Sequence, residues 1–191
     1  MSTNQGKLEV IVGPMGSGKS AELITRREQF TYSNGYRIGA FQPAANTRDS
    51  EIRSRTSLSI PADKIEAVSQ INASEFDVVV IDEAHMFDEN DADSNATAIN
   101  LLRLKGLVAI VSLIDVSYKG EATAIFTELY SRAPTDIYRM TASCQARNCR
   151  STEARNTGLF IDGERQKRGE TIIPDVGKVA YNALCAQHFW E

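Results

Sequence analysis

Long apolar runs, a surplus of basic charge and a framework of cysteines are all missing from this sequence. Each absence narrows what the chain can be. No stretch approaches the roughly 18 apolar residues of a membrane-spanning helix, so no membrane partner is expected. Lysine and arginine number 21 against 25 aspartates and glutamates, a net charge of −4. Phosphate-backbone binding rests on clustered Lys and Arg, so no global field draws the chain to nucleic acid. Cysteines number three and histidines two. So few thiols, in an odd number, argue against a disulfide scaffold and for a reducing compartment. The opening MSTNQGKLEVIV is too short and polar before its first apolar run to read as a secretory signal. The expected location is the cytoplasm. What remains is ordinary globular material: 191 residues, 42% hydrophobic and 24% charged. That is enough for one domain with a core and a small appendage.

The apolar pattern alternates between strand-like and helix-like periods. Lys7–Val12 is a short apolar run ending in Gly13-Pro14, a buried strand entering a loop. Over 19–33, Leu23, Ile24 and Phe30 sit among charges, as on an amphipathic helix. Asn34-Gly35 stops it, and 36–41 reads as the next strand. The polar, charge-rich 48–55 reads as a loop. Residues 76–81 (FDVVVI) are largely β-branched and unbroken, as in a central parallel strand. A helix is predicted over 93–105, with Ala96, Ile99 and Leu102 on one face and Gly106 as its stop. Another buried strand follows at 107–113, then a helix at 122–130. This alternation predicts an α/β fold with a parallel sheet and helices on both faces, occupying 1–140. Beyond Thr141 the texture changes: 144–171 is polar, and all three cysteines lie in 144–185. A second small unit is predicted at 141–191, held by something other than a hydrophobic core.

Gly13, Pro14, Met15, Gly16, Ser17, Gly18, Lys19 and Ser20 fit G-x-x-x-x-G-K-[ST] at every fixed position. The glycines let backbone N–H groups turn toward phosphate oxygens, and the following helix adds its N-terminal dipole. Lys19 is placed to reach the β- and γ-phosphates of a nucleotide, and the Ser20 hydroxyl to ligate Mg²⁺. The strand before the motif and the helix after it supply the context it needs.

Such a loop requires an acidic group at the end of a neighbouring strand. Asp82, which follows the VVVI run, meets that requirement, as the Mg²⁺-side carboxylate. Glu83 is then the chemically open residue: it serves either to polarise a water, giving an ATPase, or to take a proton from a substrate hydroxyl, giving a kinase. The letters Asp82-Glu83-Ala84-His85 also spell the signature of a helicase class. A helicase motor needs two such α/β domains, and only one phosphate loop is present.

Cys144-Gln-Ala-Arg-Asn-Cys149 and Cys185-Ala-Gln-His188 form two knuckles. Together they supply three thiolates and one imidazole, a tetrahedral Zn²⁺ set whose closed shell implies a structural role. His85, with no cysteine beside it, is not expected to be a ligand.

In chain order the sequence carries GPM-x-SGKS at 13–20, Asn46-Thr47-Arg48-Asp49, Ser54-Arg55, Asp82-Glu83-Ala84 and Tyr181-x-x-x-Cys185-x-x-His188-Phe189. This combination is similar to the thymidine kinases of the cellular, poxviral and bacterial type, from Lys7 to Phe189. The resemblance implies transfer of the γ-phosphate of ATP to the 5′-hydroxyl of thymidine or a close pyrimidine deoxynucleoside, with Mg²⁺. It makes Glu83 the base for that hydroxyl and Asp82 its Mg²⁺-side partner. It brings Arg48, and with it Ala84 and His85, to the ATP, and implies nucleoside contacts for Met15, Met86, Phe87, Tyr118, Ile173 and Tyr181. It further implies a zinc-anchored lasso closing over the base, a homotetramer, and feedback inhibition by a deoxynucleoside triphosphate.

Departures from the family pattern gather where a nucleoside would sit. They include Gly16, Asn46 for an aspartate, His85 for a glutamine, Met86, most of 114–121, the 174–177 stretch and Ala186. Thymidine remains the expected substrate; a base preference shifted through a hydrogen bond from His85 is the competing expectation. An alternative from another class is a P-loop ATPase module that binds nucleic acid or a protein through its zinc ribbon. Arg147, Arg150, Arg155, Arg165, Lys167 and Arg168 give that reading content, although acidic residues are interspersed.

Overall fold

The computed structural model describes residues 6–33, 35–47, 50–169 and 179–191. Its centre is a parallel sheet built from the runs that are apolar without interruption. Strands β1 (Lys7–Val12), β2 (Ile38–Pro43), β5 (Asp63–Ile65), β6 (Val78–Ile81), β7 (Val108–Leu113) and β8 (Asp136–Arg139) lie in the order β5-β2-β6-β7-β1-β8. Every pairing among them is parallel. Successive side chains of a strand face opposite sides. Val10, Val79, Ile81, Val111 and Leu113 therefore pack beneath α2 (Ala92–Leu104) and α3 (Ala124–Ser131). Ile11, Val80 and Ile110 pack beneath α1 (Lys19–Thr31) through Leu23 and Ile24. Strands covered on both faces must be apolar at every position, which is why these runs do not alternate. The α/β class with helices on both faces is as the sequence predicts.

Three boundaries differ from expectation, for local reasons. Strand β2 starts at Ile38 because the Tyr36 ring turns edge-on to Phe30, with centroids 5.4 Å apart. Arg37 is drawn instead into a forked pair with Asp77, and that pair also delays the start of β6 to Val78. The predicted loop at 48–55 contains a strand: β3 (Glu51–Arg53) pairs antiparallel with β4 (Ser59–Pro61). Ile52 and Ile60 stand opposite each other and are buried with Leu23 and Ile24. One apolar residue among charges was enough to anchor a ribbon, but too little to form a visible pattern.

The C-terminal segment holds an antiparallel sheet, with β9 (Asn156–Ile161) between β10 (Glu164–Gln166) and β11 (Val179–Leu184). A short helix, α4 (Ala186–Trp190), follows. This segment was expected to lack an apolar core; it has a small one. Ala154, Ala183, Leu184 and Phe189 are buried together with Cys144 and Cys185, so the candidate metal ligands are themselves part of the packing. No helix among the described residues is long and apolar enough to cross a membrane.

Candidate active site and metal centre

The carboxyl ends of β1, β6 and β7 gather the chemistry, the usual place for a ligand on an open parallel sheet. The turn between β1 and α1 is the phosphate loop. Gly18 caps α1 with φ 87°, a left-handed conformation that glycine adopts without steric cost. Lys19 is buried, 5% exposed, and its Nζ donates to the Pro14 carbonyl at 2.9 Å. Burial pulls its ammonium below the usual lysine range, while the charges of Glu83, Asp82 and Asp115 pull the other way.

Asp82 and Glu83 are adjacent in sequence but serve different spaces. Asp82 continues β6 into the interior and is 3% exposed. Burial, then the neighbouring charge of Glu83, pushes its carboxyl up to about 6. Hydroxyls of Ser112 and Ser20, together with Lys19, act against that rise. Glu83 takes the left-handed conformation, φ 54° and ψ 36°, which costs a non-glycine residue roughly 1 kcal/mol. The backbone turns there, and Glu83 lines a cleft of about 240 Å³ together with Met15, Gly16, Gly18, Lys19 and Ser20. The wall opposite is the β3–β4 ribbon, through Arg53, Ser54, Arg55 and Thr56. Ser20 and Asp82 offer oxygen donors only, the chemistry that suits a hard divalent cation.

Other residues singled out from sequence do not line this cleft. Met86 and Phe87 line a second, open groove of about 670 Å³ with Pro43, Ala44 and 88–91, and Phe87 is also packed into the main core. Tyr118 is buried in a tight turn closed by Ser117 N–H to the Glu121 carbonyl at 2.7 Å. Tyr181 lies on β11 opposite Leu159. Arg48 and Ile173 fall outside the described residues, as does the 174–177 stretch.

Three further residues join the site: Ser112 and Thr157, which no motif marks, and Arg55, present in the sequence only as part of the Ser54-Arg55 pair. Ser112 donates to Asp82, and a lone polar residue late in an apolar strand was the available hint. Arg55 reaches over the phosphate loop, so that a Cβ on Gly16 would lie 3.1 Å from its guanidinium. Thr157 of β9 accepts a hydrogen bond from the Met15 backbone N–H at 2.9 Å; no local pattern announces a contact across 142 positions.

The two knuckles come together as their spacing predicts. One ligand atom from each of Cys144, Cys149, Cys185 and His188 lies within 4.8 Å of all the others. Sγ of Cys144 is 3.8 Å from Nδ1 of His188, and Sγ of Cys149 is 4.0 Å from Sγ of Cys185. Tetrahedral Zn²⁺ with bonds of about 2.3 Å spaces its ligands roughly 3.8 Å apart, so the cluster is compatible with a zinc ribbon. Burial opposes ionisation of the Cys144 thiol, yet backbone N–H groups of Cys185 and Ala146 outweigh it and lower its pKa. A thiol predisposed to ionise suits a metal ligand.

The family model described as thymidine kinase matches residues 6–189. The chain belongs to the thymidine kinase family. A thymidine kinase of Ureaplasma urealyticum is 32% identical, covering 98% of this chain and 84% of the relative. One from Thermococcus kodakarensis is 31% identical over 96% of this chain and 93% of its own. A third, from Chloroflexus aurantiacus, is 30% identical over 94% and 92%. Each aligns along both the sheet and the ribbon rather than the phosphate loop alone.

Proposed function

We propose that this chain transfers the γ-phosphate of ATP to the 5′-hydroxyl of thymidine, yielding thymidine monophosphate and ADP. The observation that carries this reading is the shared cleft: Glu83 stands with Lys19 and Ser20 over the phosphate loop, and Asp82 is buried beside them. In the proposed step Glu83 accepts the 5′-hydroxyl proton and the freed oxygen bonds to the γ-phosphorus. The bond from that phosphorus to the β–γ bridging oxygen breaks, and ADP leaves with the bond's electrons. Lys19, uncomfortable in its buried state, gains anionic partners when phosphates enter. Ser20 and Asp82 would hold Mg²⁺, whose contribution is to neutralise charge on the β- and γ-phosphates.

Residues 1–140 carry this chemistry in the proposal, and 141–191 form the unit that a structural Zn²⁺ would close. Arg48, Ala84 and His85 are assigned to the ATP side. Met15, Met86, Phe87, Tyr118, Ile173 and Tyr181 are assigned to the nucleoside. The same reading makes the protein a cytoplasmic homotetramer, inhibited by a deoxynucleoside triphosphate. Its test is a coupled ADP-release assay with MgATP and thymidine, beside E83Q. Expected are turnover with thymidine and a loss of at least ~100-fold in E83Q, the usual contribution of a positioned base. ATP hydrolysis stimulated by nucleic acid, with no nucleoside turned over, would move the protein to the ATPase-module class.

A further inference from the structure

His85, assigned above to the ATP side, also makes contacts within the protein that this assignment does not use. Its backbone is held firmly. Residues 84–86 form a single 3₁₀ turn, closed by Met86 N–H to the Glu83 carbonyl at 2.9 Å, with Ala84 fully buried. Two described groups meet its ring at one atom: Nδ1 accepts the Ile114 backbone N–H at 3.3 Å and stands 3.4 Å from Oε2 of Glu83. Among the described residues, His85 is the one basic side chain within 4 Å of that carboxylate.

These two contacts make different demands on the same nitrogen. An imidazole nitrogen that accepts an N–H has its lone pair committed and carries no proton to donate. Giving up the Ile114 N–H, just past the end of β7, would leave a partly buried donor unpaired, which is unfavourable. The favoured arrangement therefore keeps Nδ1 as acceptor of the Ile114 N–H, with no proton to share with Oε2. Two acceptors 3.4 Å apart do not bond, so the anchored ring limits the carboxylate by contact and lone-pair repulsion, as a wall on one side of it.

We propose that His85 is the positioning residue for Glu83: the ring, tied to the Ile114 N–H, is a strut that holds the carboxylate toward the phosphate cleft. The proposal rests on reading Glu83 as the base. It also commits the His85 Nδ1 to the protein, so a base preference shifted by a hydrogen bond from His85 would have to use the other ring nitrogen.

The experiment compares H85L, H85F, H85N, E83Q and the double variant E83Q/H85L, by steady-state kinetics on thymidine and deoxyuridine and by thermal denaturation. Leucine and phenylalanine remove the acceptor, one with a smaller side chain and one filling the space. Asparagine puts its Oδ1 near the place of Nδ1 and can still accept from Ile114. Expected is a fall in kcat of about 10–100-fold in H85L and H85F, with both KM values within about 3-fold, as when a reacting group is displaced by an ångström or less. H85N should recover most of that loss, and H85L should cost E83Q nothing further.

Wild-type kcat in H85F with E83Q inactive would overturn the strut and leave Glu83 as the base. Full activity in E83Q would overturn the base itself, whatever the His85 variants do. A changed ratio of thymidine to deoxyuridine at unchanged kcat would give His85 to the nucleoside instead. If H85L does not fold, H85F and H85N alone decide between these outcomes.

Discussion

One hydroxyl links the phosphate loop to the C-terminal sheet. Thr157 is buried on β9, and its Oγ1 accepts the Met15 N–H at 2.9 Å. Met15 lies within the turn whose backbone must stay open toward phosphate, so a bond fixing its N–H restricts how that turn can collapse. T157V keeps the shape and deletes the acceptor, leaving a donor unpaired at about 1–3 kcal/mol. For a chain of this size that is roughly 3–8 °C in Tm, with a rise in the KM for MgATP. T157S, which retains the hydroxyl, should recover the KM even if it loses some stability with its methyl group. A calorimetric scan and ATP titration of both variants check the point. Equal behaviour of T157V and T157S would mean the bond does not constrain the loop.

Among the elements, the C-terminal sheet is the one whose packing looks insufficient for its length. Among the described residues its cluster wholly buries two large side chains, Leu184 and Phe189, beside alanines and thiols, and the sheet adds Leu159. Three strands and a helix of five residues cannot be ordered on that alone, so the Cys/His cluster should supply the rest. Chelation by EDTA, or C185A, is expected to remove one zinc per chain by elemental analysis and weaken the antiparallel signal in circular dichroism. Tm should fall by about 10 °C or more, while the parallel sheet persists. An unchanged Tm after complete metal removal would assign the stability to the protein alone.

The same contrast explains what could be read in advance. Strands β1, β6 and β7 were legible because both faces are covered and nearly every position is apolar, Lys7, Glu9 and Ser112 excepted. Edge strands β5 and β8 and the β3–β4 ribbon were not, because β5 buries one side chain, the ribbon two and β8 none completely, all within polar surroundings, such as Ile52 between Glu51 and Arg53. Likewise the phosphate loop and Asp82-Glu83 follow from fixed local spacing. Ser112 and Thr157 reach the site only through folding over long separations, which no window of sequence contains, and the Ser54-Arg55 pair does not by itself place Arg55 over the phosphate loop.

At the scale of the whole molecule, two of the contacts between the sheet and the C-terminal segment among the described residues bear on the proposed chemistry. One is the Met15–Thr157 bond. The other lies at the turn carrying Tyr118, where the C-terminal helix presses on Gly120. A Cβ there would lie 2.8 Å from the Trp190 ring and 3.3 Å from that of Phe189, too close for either to stay in place. Phe189 is 2% exposed and has nowhere to move, whereas Trp190 is 68% exposed and can rotate outward. Gly120 also has φ 87°, which adds roughly 1 kcal/mol for alanine.

G120A should therefore push the helix off the turn and loosen Tyr118, two residues away. The expected result is a several-fold rise in the KM for the nucleoside with kcat little changed. Trp190 is the only tryptophan in the sequence, so its emission reports the displacement without any label. A shifted emission together with the raised KM would mean that the ribbon holds the substrate turn in place. A shifted emission with an unchanged KM would confine the contact to stability, and the ribbon would then act on the site through Thr157 alone.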